Sequence, residues 1–537
     1  MKRIIIYSIL ALITLPFFSC SKDFISSTLY GKQDLDNYFN TGAECSSFVD
    51  GLYQGFAHWE DWWQNYLRLN NEMATDDAWM GNLAQDASGN YPFAFYTISA
   101  GNDPGALYNF YYFKYQNINT ANIAIAHIPA APISDNDKKI LIGQAKFFRA
   151  FSFWELIQNF GDVVMFLEPV GTNDLSNVSR TNKDVVYQQI VKDLKEAAVA
   201  LPSQWTGKDV GRVTSGACKA LLARTYLFMK DYTNAYAYAD TVIRSAKYSL
   251  EPDFVNVWSC SNHNGVESIF EIQTNPEQSY SVGNRFSVVV NARGEIWPTD
   301  QAANTMDGWG WCVPTSNLEN AFKAEADSIR LKSTIIRNNM PVYGDSIDNP
   351  HYSFKADNNK SCRTWRKLYV PIAVRKSLIN KDGHVPLDLI LIRLSEMYLT
   401  RAEAAYFNNN PSQALADIKT VRDRVKLAEK KGLSGNSLLY AIWNERRLEL
   451  AGEGMRLYDL RREIDPVQNK KMIDVVMGPS GTFVKYNATG VDYWEKIHTK
   501  EPSNKGAAFT EGKNELWPIP QSEIDRSGGK LSQNPGY

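Results

Sequence analysis

The sequence contains few of the residues and motifs on which most metal sites and hydrolases depend. Only six of its 537 residues are cysteine and six are histidine. It has no CxxC pair and no Cys/His spacing that suits zinc. The GxSxG, HExxH and glycine-rich phosphate-loop motifs are absent as well. We therefore expect no metal, no cofactor and none of the activities that these motifs mark.

The sequence also lacks an excess of either charge. Lysine and arginine number 57 against 59 aspartates and glutamates, which gives a net charge of −2. Such a balance produces no basic field that would attract nucleic acid. Beyond the N-terminus, no apolar run reaches the roughly 20 residues of a membrane span. Nucleic-acid binding and membrane-spanning helices are therefore both disfavoured.

The N-terminus has the layout of a bacterial signal peptide. Two basic residues precede fifteen mostly apolar ones, and Ser19 and Cys20 follow them. A small residue before cysteine resembles the lipobox of bacterial lipoproteins, although Phe17 and Phe18 stand where that motif prefers leucine and a small residue. A buried N-terminal helix is the alternative, but this segment has no polar face. We predict a signal peptide at 1–19 and an acylated Cys20 that anchors the protein to a membrane.

The remaining cysteines are far apart in the sequence. They are Cys45, Cys218, Cys260, Cys312 and Cys362. Their odd number leaves open one or two disulfides, as an oxidising compartment permits, or simply buried thiols.

Apolar residues recur at three- and four-residue spacing in three blocks, which predicts helices at 106–160, 215–246 and 390–462. Asn410-Pro411 marks a helix start inside the third block. The second and third blocks also match each other at one constant offset in residue number. The matching positions are Ala223 with Ala402, Tyr226 with Ala405, Phe228 with Phe407, Ala235 with Ala414, Ala239 with Ile418, and Val242 with Val421.

Each matching stretch has the pattern of a helix, a short polar turn and a second helix. Small residues at four-residue spacing let two antiparallel helices approach closely, and the pattern resembles a tetratricopeptide unit. Chance similarity between two amphipathic hairpins is the alternative. Repeats of this kind stack, because one hairpin alone cannot bury its apolar face.

Between the helical blocks, glycine, proline, asparagine and aromatic residues dominate. Short apolar runs such as FSVVV at 286–290 predict brief strands there, and a similar irregular stretch lies at 52–105. The long irregular segment should form a loop-rich subdomain packed on the helices. We predict an N-terminal helical region at 20–249, an aromatic-rich subdomain at 250–388 and a C-terminal helical region with a closing tail at 389–537. A chain of this length favours two or more packed units.

Several segments resemble the SusD/RagB family of outer-membrane lipoproteins. They are GQAKFFRAFSFWELIQNFGD at 143–162, LIRLSEMYLTRAEA at 391–404, ALADIKTVRDR at 414–424, NERRLELAGEGMRLYDLRR at 444–462, and LWPIPQSEIDRSGGKLSQNPGY at 516–537. The first is ordinarily followed by a V-P-L step, which here is VVMF. The motifs recur in order over nearly the whole mature chain.

This resemblance implies a mainly α fold, a right-handed superhelical bundle of tetratricopeptide-like helix pairs with an irregular loop-rich subdomain. It also implies a non-catalytic lipoprotein on the outer face of the outer membrane, which captures oligosaccharide or polysaccharide and delivers it to a SusC-like TonB-dependent transporter. No binding residue carries over, because the family contacts sugars through divergent loops. The shared motifs are expected to be scaffold. A solvent-exposed face of ion pairs is expected for Glu445, Arg446, Arg447, Glu449, Glu453 and Arg456.

Sugar rings present a CH face and a rim of hydroxyls, which aromatic side chains and polar or charged side chains match. Trp154 and Trp443 lie at helical spacing and are expected in the core. The irregular stretches supply the candidate ligand residues. These are Trp79 with Asp77 and Asn82 in TDDAWMGN, Trp309 and Trp311 in MDGWGWC, and, as weaker choices, Trp297, Tyr91 and Tyr96.

For each of these rings, packing between loops and scaffold is the alternative. If the 306–312 segment is extended, Trp309 and Trp311 point to opposite sides, so at most one of them faces a ligand. Trp62 and Trp63, with Tyr66, are compatible with either core packing or a transporter contact.

Two other classes of function are open at this point. A secreted glycoside hydrolase needs two carboxyl groups about 5 or 6.5–9.5 Å apart, whereas the side chains of the adjacent Asp76 and Asp77 diverge. A tetratricopeptide adaptor would bind a protein partner and no sugar, and the irregular aromatic stretches argue against it.

Overall fold

The chain is mainly helical in the computed structural model. The residues that the structure describes are 38–57, 66–81, 89–99, 105–171, 178–274, 283–296, 308–344, 353–354, 361–371, 374–375, 385–487, 505–506 and 508–537. Within these ranges the mainly α prediction is confirmed.

Most helices of the N-terminal half pack against the next helix in the chain. The helices before residue 250 are α1 (Gly42–Ala57), α2 (Tyr66–Met73), α3 (Tyr91–Phe95), α4 (Gly105–His127), α5 (Asp135–Phe160), α6 (Lys183–Ala200), α7 (Ser215–Phe228) and α8 (Tyr232–Arg244). Helix α5 begins where Ser134 accepts the backbone N–H of Asp137. It is buried on nearly all sides, and Arg149 ties it to α6 through a two-pronged contact with Asp193 at 2.8 Å.

The second half of the chain adds shorter helices. They are α9 (Phe286–Val290), α10 (Ser316–Ala324), α11 (Ser328–Thr334), α12 (Leu394–Phe407), α13 (Pro411–Arg424), α14 (Gly435–Leu450), α15 (Arg456–Arg462), α16 (Met472–Met477), α17 (Thr482–Asn487) and α18 (Gln521–Arg526). Helices α4 to α8 pack in chain order, and α8 packs on α12, which contacts α13 and α14. The helix pairs therefore form one continuous stack, and α13 begins at Pro411 as predicted.

The predicted repeat is confirmed by the helix boundaries. Both helices of the pair α7–α8 begin at residues equivalent to the starts of α12 and α13. The turns match as well, because Lys230 and Asn409 have left-handed backbones with φ of 62° and 58°. In each pair the next residue, Asp231 or Asn410, caps the second helix by accepting the N–H three residues on. The repeat thus extends to turn geometry that apolar spacing does not predict.

The irregular stretches contain short paired strands. The strands are β1 (Ala78–Trp79), β2 (Ser268–Ile272), β3 (Glu295–Ile296), β4 (Val313–Pro314), β5 (Ile335–Arg337), β6 (Ser353–Phe354), β7 (Arg363–Trp365) and β8 (Leu389–Arg393). Among the described residues they form four antiparallel two-stranded sheets, β1–β4, β2–β8, β3–β6 and β5–β7. The pair β2–β8 joins the beginning of the long irregular segment to its end.

The strand prediction for FSVVV is wrong, because these residues form helix α9. All five side chains are buried, and the Asn284 carboxamide oxygen accepts the N–H of Phe286 at the start of the helix. A short apolar run that is buried on every side has no period by which strand and helix can be told apart.

The largest hydrophobic cluster crosses the predicted domain boundaries. It contains Trp154, Phe270, Trp365 and Trp517, which come from all three predicted regions. The helical pairs and the irregular segment thus share a core. Trp154 and Trp443 are buried as predicted.

Four of the cysteines form no disulfide bond in the described part of the chain. Cys45, Cys218, Cys260 and Cys312 are free thiols, and all except Cys260 are buried. Burial raises the pKa of the Cys260 thiol to about 12, so this thiol is protonated at neutral pH.

Candidate functional site

The structure brings together the two loop segments that were predicted to hold ligand residues. Strand β1 pairs with β4, so that Trp79 lies opposite Val313. The N–H of Cys312 donates to the Met80 carbonyl at 2.9 Å, and that of Thr315 donates to the Asp77 carbonyl at 2.9 Å. Segments that are distant in sequence thus form one site. Of the other predicted residues, Cys20, Asn82, Trp297 and the Trp62–Trp63 pair lie outside the described residues.

Trp79 and Tyr96 lie in the interior of this site. Trp79 is 4% exposed, and its ring faces Phe483 at 5.8 Å between centroids. Tyr96 is 3% exposed, its hydroxyl donates to the Ala74 carbonyl, and its ring packs edge-on against Phe509. Burial of this extent leaves no ring face on which a sugar could stack, so in this conformation both rings support the loops.

Lys505 binds the backbone at strand β1. Its ammonium group donates to the carbonyls of Thr75 and Ala78 and lies 5.3 Å from the centroid of the Trp79 ring. Burial lowers the pKa of Lys505 to about 7, although the nearby acidic side chains act in the opposite direction. These contacts hold the backbone of β1, and therefore Trp79, in place.

Asp76 and Asp77 are buried and are bound by two arginines. Arg447 contacts Asp77 at 2.5 Å and Asp76 at 2.9 Å, and Arg456 contacts Asp76 at 2.9 Å. Burial alone would raise the pKa of Asp76, but the two guanidinium groups outweigh it and lower that pKa. The acidic pair is therefore occupied by ion pairs, and Asp77 is not positioned as a contact on an open surface.

Trp309 and Trp311 pack against each other. Their ring centroids lie 5.0 Å apart with an interplanar angle of 61°. The segment is not extended, because Gly310 has φ of 67°, so the condition under which the two rings would point to opposite sides is not met. The backbone N–H groups of both tryptophans donate to carbonyls at the end of α9, at 3.0 and 2.9 Å. Trp311 is 9% exposed, whereas Trp309 is half-buried.

The six charged residues of the 444–462 motif were predicted to be solvent-exposed, and this prediction is wrong. None of their side chains is more than 13% exposed, and Glu449 is completely buried. Glu449 contacts Arg393 at 2.6 Å and Arg330 at 3.1 Å and also pairs with Arg424. These partners come from distant parts of the chain, so spacing within one helix could not reveal them.

The network has a centre at Arg393. Its guanidinium group contacts Glu267 at 2.7 Å, Glu449 at 2.6 Å and Glu453 at 2.8 Å, and lies 5.2 Å from the Trp258 ring centroid. Such a network holds the helical stack and the irregular segment in a fixed relation. In the part of the chain that the structure describes, no group of three or more His, Cys, Asp or Glu side chains is placed to hold a metal ion.

Family models match two parts of the chain that together cover most of it. A model described as the SusD family matches residues 266–537, which is just over half of the chain. A second, described as starch-binding and associating with the outer membrane, matches residues 32–227. The chain belongs to the SusD family.

Relatives of this SusD-family protein match along most of its length. The SusD-like protein P2 of Formosa agariphila is 27% identical over 540 residues, covering 95% of this chain and 97% of the relative. The starch-binding protein SusD of Bacteroides thetaiotaomicron is 24% identical over 440 residues, covering 73% of this chain and 72% of that one.

Solved structures share the fold of this SusD-family protein. A laminarin-binding SusD-like protein matches with a TM-score of 0.74 at 24% identity, covering 93% of this chain and 100% of that chain. Surface glycan-binding protein A from Bacteroides thetaiotaomicron, in complex with laminarihexaose, matches with a TM-score of 0.71 at 21% identity, covering 92% and 99%. The predicted bundle of tetratricopeptide-like helix pairs is therefore confirmed.

The structure also shows an open surface that the sequence analysis missed. Two depressions, of about 560 and 300 Å³, lie on either side of the turn at 207–212 and share Arg212 and Phe270. The signal was present in the sequence, since Trp205 and Lys208 stand in a short polar connection between two helices. A tryptophan in such a connection is not on the buried face of a helix, so its ring can remain partly exposed.

Proposed function

We propose that this SusD-family protein captures oligosaccharides at the cell surface without cleaving them and delivers them to a SusC-like TonB-dependent transporter. The observation that carries the proposal is the chain-long relationship to proteins named for starch and glycan binding. The fold suits this role, because the rigid stack of helix pairs supports an irregular segment rich in aromatic side chains.

We assign the sugar contact to the Trp309–Trp311 pair. Trp309 is half-buried, and the edge-to-face contact with Trp311 holds it in a defined orientation. Asn82 and Trp297 remain candidate contacts. Trp79, Asp77 and Tyr96 are proposed to support the loops, because all three are buried.

The membrane attachment is proposed to be a lipid on Cys20. In the described part of the chain, no helix is long and apolar enough to cross a bilayer. A multiply acylated cysteine would hold the protein stably, since each buried methylene contributes about 0.8 kcal/mol. Replacement of Cys20 by serine should move the protein from the outer-membrane fraction to the soluble fraction. Retention in the membrane fraction would argue against the anchor.

A non-catalytic role is favoured over hydrolysis by the state of the acidic pair. Asp76 and Asp77 lie in the same loop as Trp79, and both are bound by arginines. A glycosidase needs one carboxyl group that releases a proton and another that is free to attack or to activate water. Groups bound in this way serve neither role.

Calorimetric titration of the full-length protein in detergent tests the sugar site. The probe is laminarihexaose, with maltohexaose and xylohexaose as further ligands. Trp309→Ala should weaken binding of whichever glycan binds by about fivefold to thirtyfold, because a stacked ring contributes roughly 1–2 kcal/mol. The matched control is Phe407→Ala, which removes another partly exposed ring. Equal affinity of the two variants, with unchanged melting temperatures, would refute the assignment to Trp309.

A further inference from the structure

The turn at 207–212 lies against Gln273, the residue that follows strand β2. Gly211 has φ of 97°, and a Cβ atom there would lie 1.9 Å from the Gln273 amide nitrogen, so no other residue fits without a shift. Arg212 contacts Asp50 at 2.5 Å and Asp209 at 2.7 Å. A surface fixed in this way binds without first having to be ordered.

The residue that follows the turn is also anchored. The Val213 N–H donates to the Tyr53 hydroxyl, and the Val213 carbonyl accepts the indole N–H of Trp205, both at 2.9 Å. The second contact fixes the plane of the Trp205 ring. The turn and the indole are therefore parts of one preformed surface.

Apolar faces and polar edges alternate around this turn. Trp205 is partly exposed, and the neighbouring Val210 and Val266 are 45% and 51% exposed. Gln273 lines one depression and Asn264 the other, and the Gln273 amide donates a hydrogen bond to the Asn264 carboxamide oxygen at 2.7 Å. This combination matches the CH faces and hydroxyl rim of a saccharide.

The uncompensated charge of the two depressions is positive. Arg212 with Asp50 and Asp209 carries one net negative charge, whereas the exposed Lys208 and Lys247 form no ion pair within the described part of the chain and add two positive charges. Glu271 is 5% exposed. Burial, together with the nearby Asp388, raises its pKa to about 8. Glu271 is therefore largely uncharged at neutral pH, and the lysines set the sign of the field.

We propose that the depressions on both sides of the turn at 207–212 form one groove for an oligosaccharide that carries carboxylate or sulfate groups. Trp205 and Val210 would lie against sugar faces, while Lys208 and Lys247 would contact the acidic groups from either side of the turn. The inference rests on the proposed function, glycan capture, and adds to it a second site and a ligand class.

Titration of the full-length protein with three probes tests this groove. The probes are tetragalacturonate, a sulfated carrageenan tetrasaccharide and the neutral laminarihexaose. We expect saturable binding of at least one acidic probe, weakened by added salt because the lysines are exposed. Binding of only the uronate or only the sulfated probe identifies the acidic group. If neither binds, the proposal is overturned, whatever laminarihexaose does.

Variants locate the binding on the surface. Lys208→Gln with Lys247→Gln should weaken the acidic probe about fivefold to tenfold. The matched control, Lys192→Gln with Lys332→Gln, removes two exposed lysines elsewhere and should leave the affinity unchanged. All four positions are exposed, so folding should not change, and equal melting temperatures check this.

The proposals for the Trp309 site and for the groove can be refuted separately. Trp309→Ala should leave binding of the acidic probe intact, while Trp205→Ala should weaken it about tenfold and Trp205→Phe should restore most of it. If Trp309→Ala abolishes binding of the acidic probe, or if the double lysine variant binds it like wild type, the groove is not the site. A variant that loses binding of laminarihexaose but keeps binding of the acidic probe bears on the Trp309 site and not on the groove.

Discussion

The Arg447 guanidinium group binds the Asp77 carboxylate at 2.5 Å, across 370 residues of sequence. Asp77 comes from the loop that was predicted to hold a sugar, and Arg447 from the helix face that was predicted to be solvent-exposed. Together with Arg456 and Asp76, this pair joins the N-terminal and C-terminal helical regions. The family motif at 444–462 therefore acts inside the protein, where it orients the β1–β4 site.

Loss of this ion pair should destabilise the protein strongly. Arg447→Ala leaves the completely buried Asp77 carboxylate with a single, more distant guanidinium group, that of Arg456 at 3.9 Å. Removal of one partner of a buried pair typically costs about 3–5 kcal/mol. Calorimetric melting should therefore show a lower transition temperature.

The control for this variant is Arg244→Ala. Arg244 also forms an ion pair, with Asp240, but its side chain is 76% exposed, and such pairs contribute little. Asp77→Asn introduced together with Arg447→Ala should recover part of the loss, because the unpaired charge is removed. If Arg447→Ala melted like Arg244→Ala, a stabilising role for the pair would be refuted.

Glu72 should make stability depend on pH near neutrality. It is 3% exposed, and burial, with a further contribution from Asp77, raises its pKa from 4.5 to about 8. The folded protein therefore keeps a proton between these values that the unfolded chain has lost. The contribution of Glu72 to stability is complete below pH 4.5 and is lost as the pH rises to about 8.

The measurement compares Glu72→Gln with wild type at pH 5.5 and pH 8.5. Glutamine mimics the neutral carboxyl group, so the variant should lose less of its melting temperature between the two values. If Glu72 were instead ionised and well paired, Glu72→Gln would be less stable than wild type at pH 8.5, which would contradict the prediction.

The equivalent turns of the two repeats should respond differently to glycine. Lys230 and Asn409 both have left-handed backbones, a conformation that costs most residues about 1–2 kcal/mol but that asparagine tolerates. Lys230→Gly should therefore stabilise the protein by about 0.5–1 kcal/mol, and Asn409→Gly by less. Chemical denaturation checks both.

Lys230→Ala separates backbone strain from charge in this experiment. Lys230 lies near Lys183 and Arg462, and burial and these charges lower its pKa. Alanine removes the charge but keeps the strained backbone. If Lys230→Ala stabilised the protein as much as Lys230→Gly, charge and not the turn would be the cause.

The helical part of the fold could be predicted because its signals are local. Apolar spacing located the helix pairs, and the match of Ala235 with Ala414 located the repeat, since small residues in these positions let paired helices approach closely. The run at 286–290 could not be assigned, because it is buried on every side and has no period. A sequence pattern predicts a helix or strand when one face of the element is buried and the other exposed. It fails when residues distant in the sequence bury the element on every side.

The candidate site was predicted only in part, for a similar reason. The sequence indicates which loops carry rings and acids, but it does not show which of them are covered. Trp79 is buried by Phe483, which comes from the C-terminal region of the chain, and Asp77 is bound by Arg447. Trp205 stands out in its polar connection, but only the packing of the turn at 207–212 beside β2 forms the depressions.

The most direct test of the account is one titration followed by analysis of the products. The full-length protein is titrated with a panel of neutral and acidic oligosaccharides, and each mixture is then incubated and separated by chromatography. The account predicts saturable heat for at least one saccharide, with that saccharide recovered intact. Cleavage of the bound saccharide, or the absence of binding across the whole panel, would contradict it.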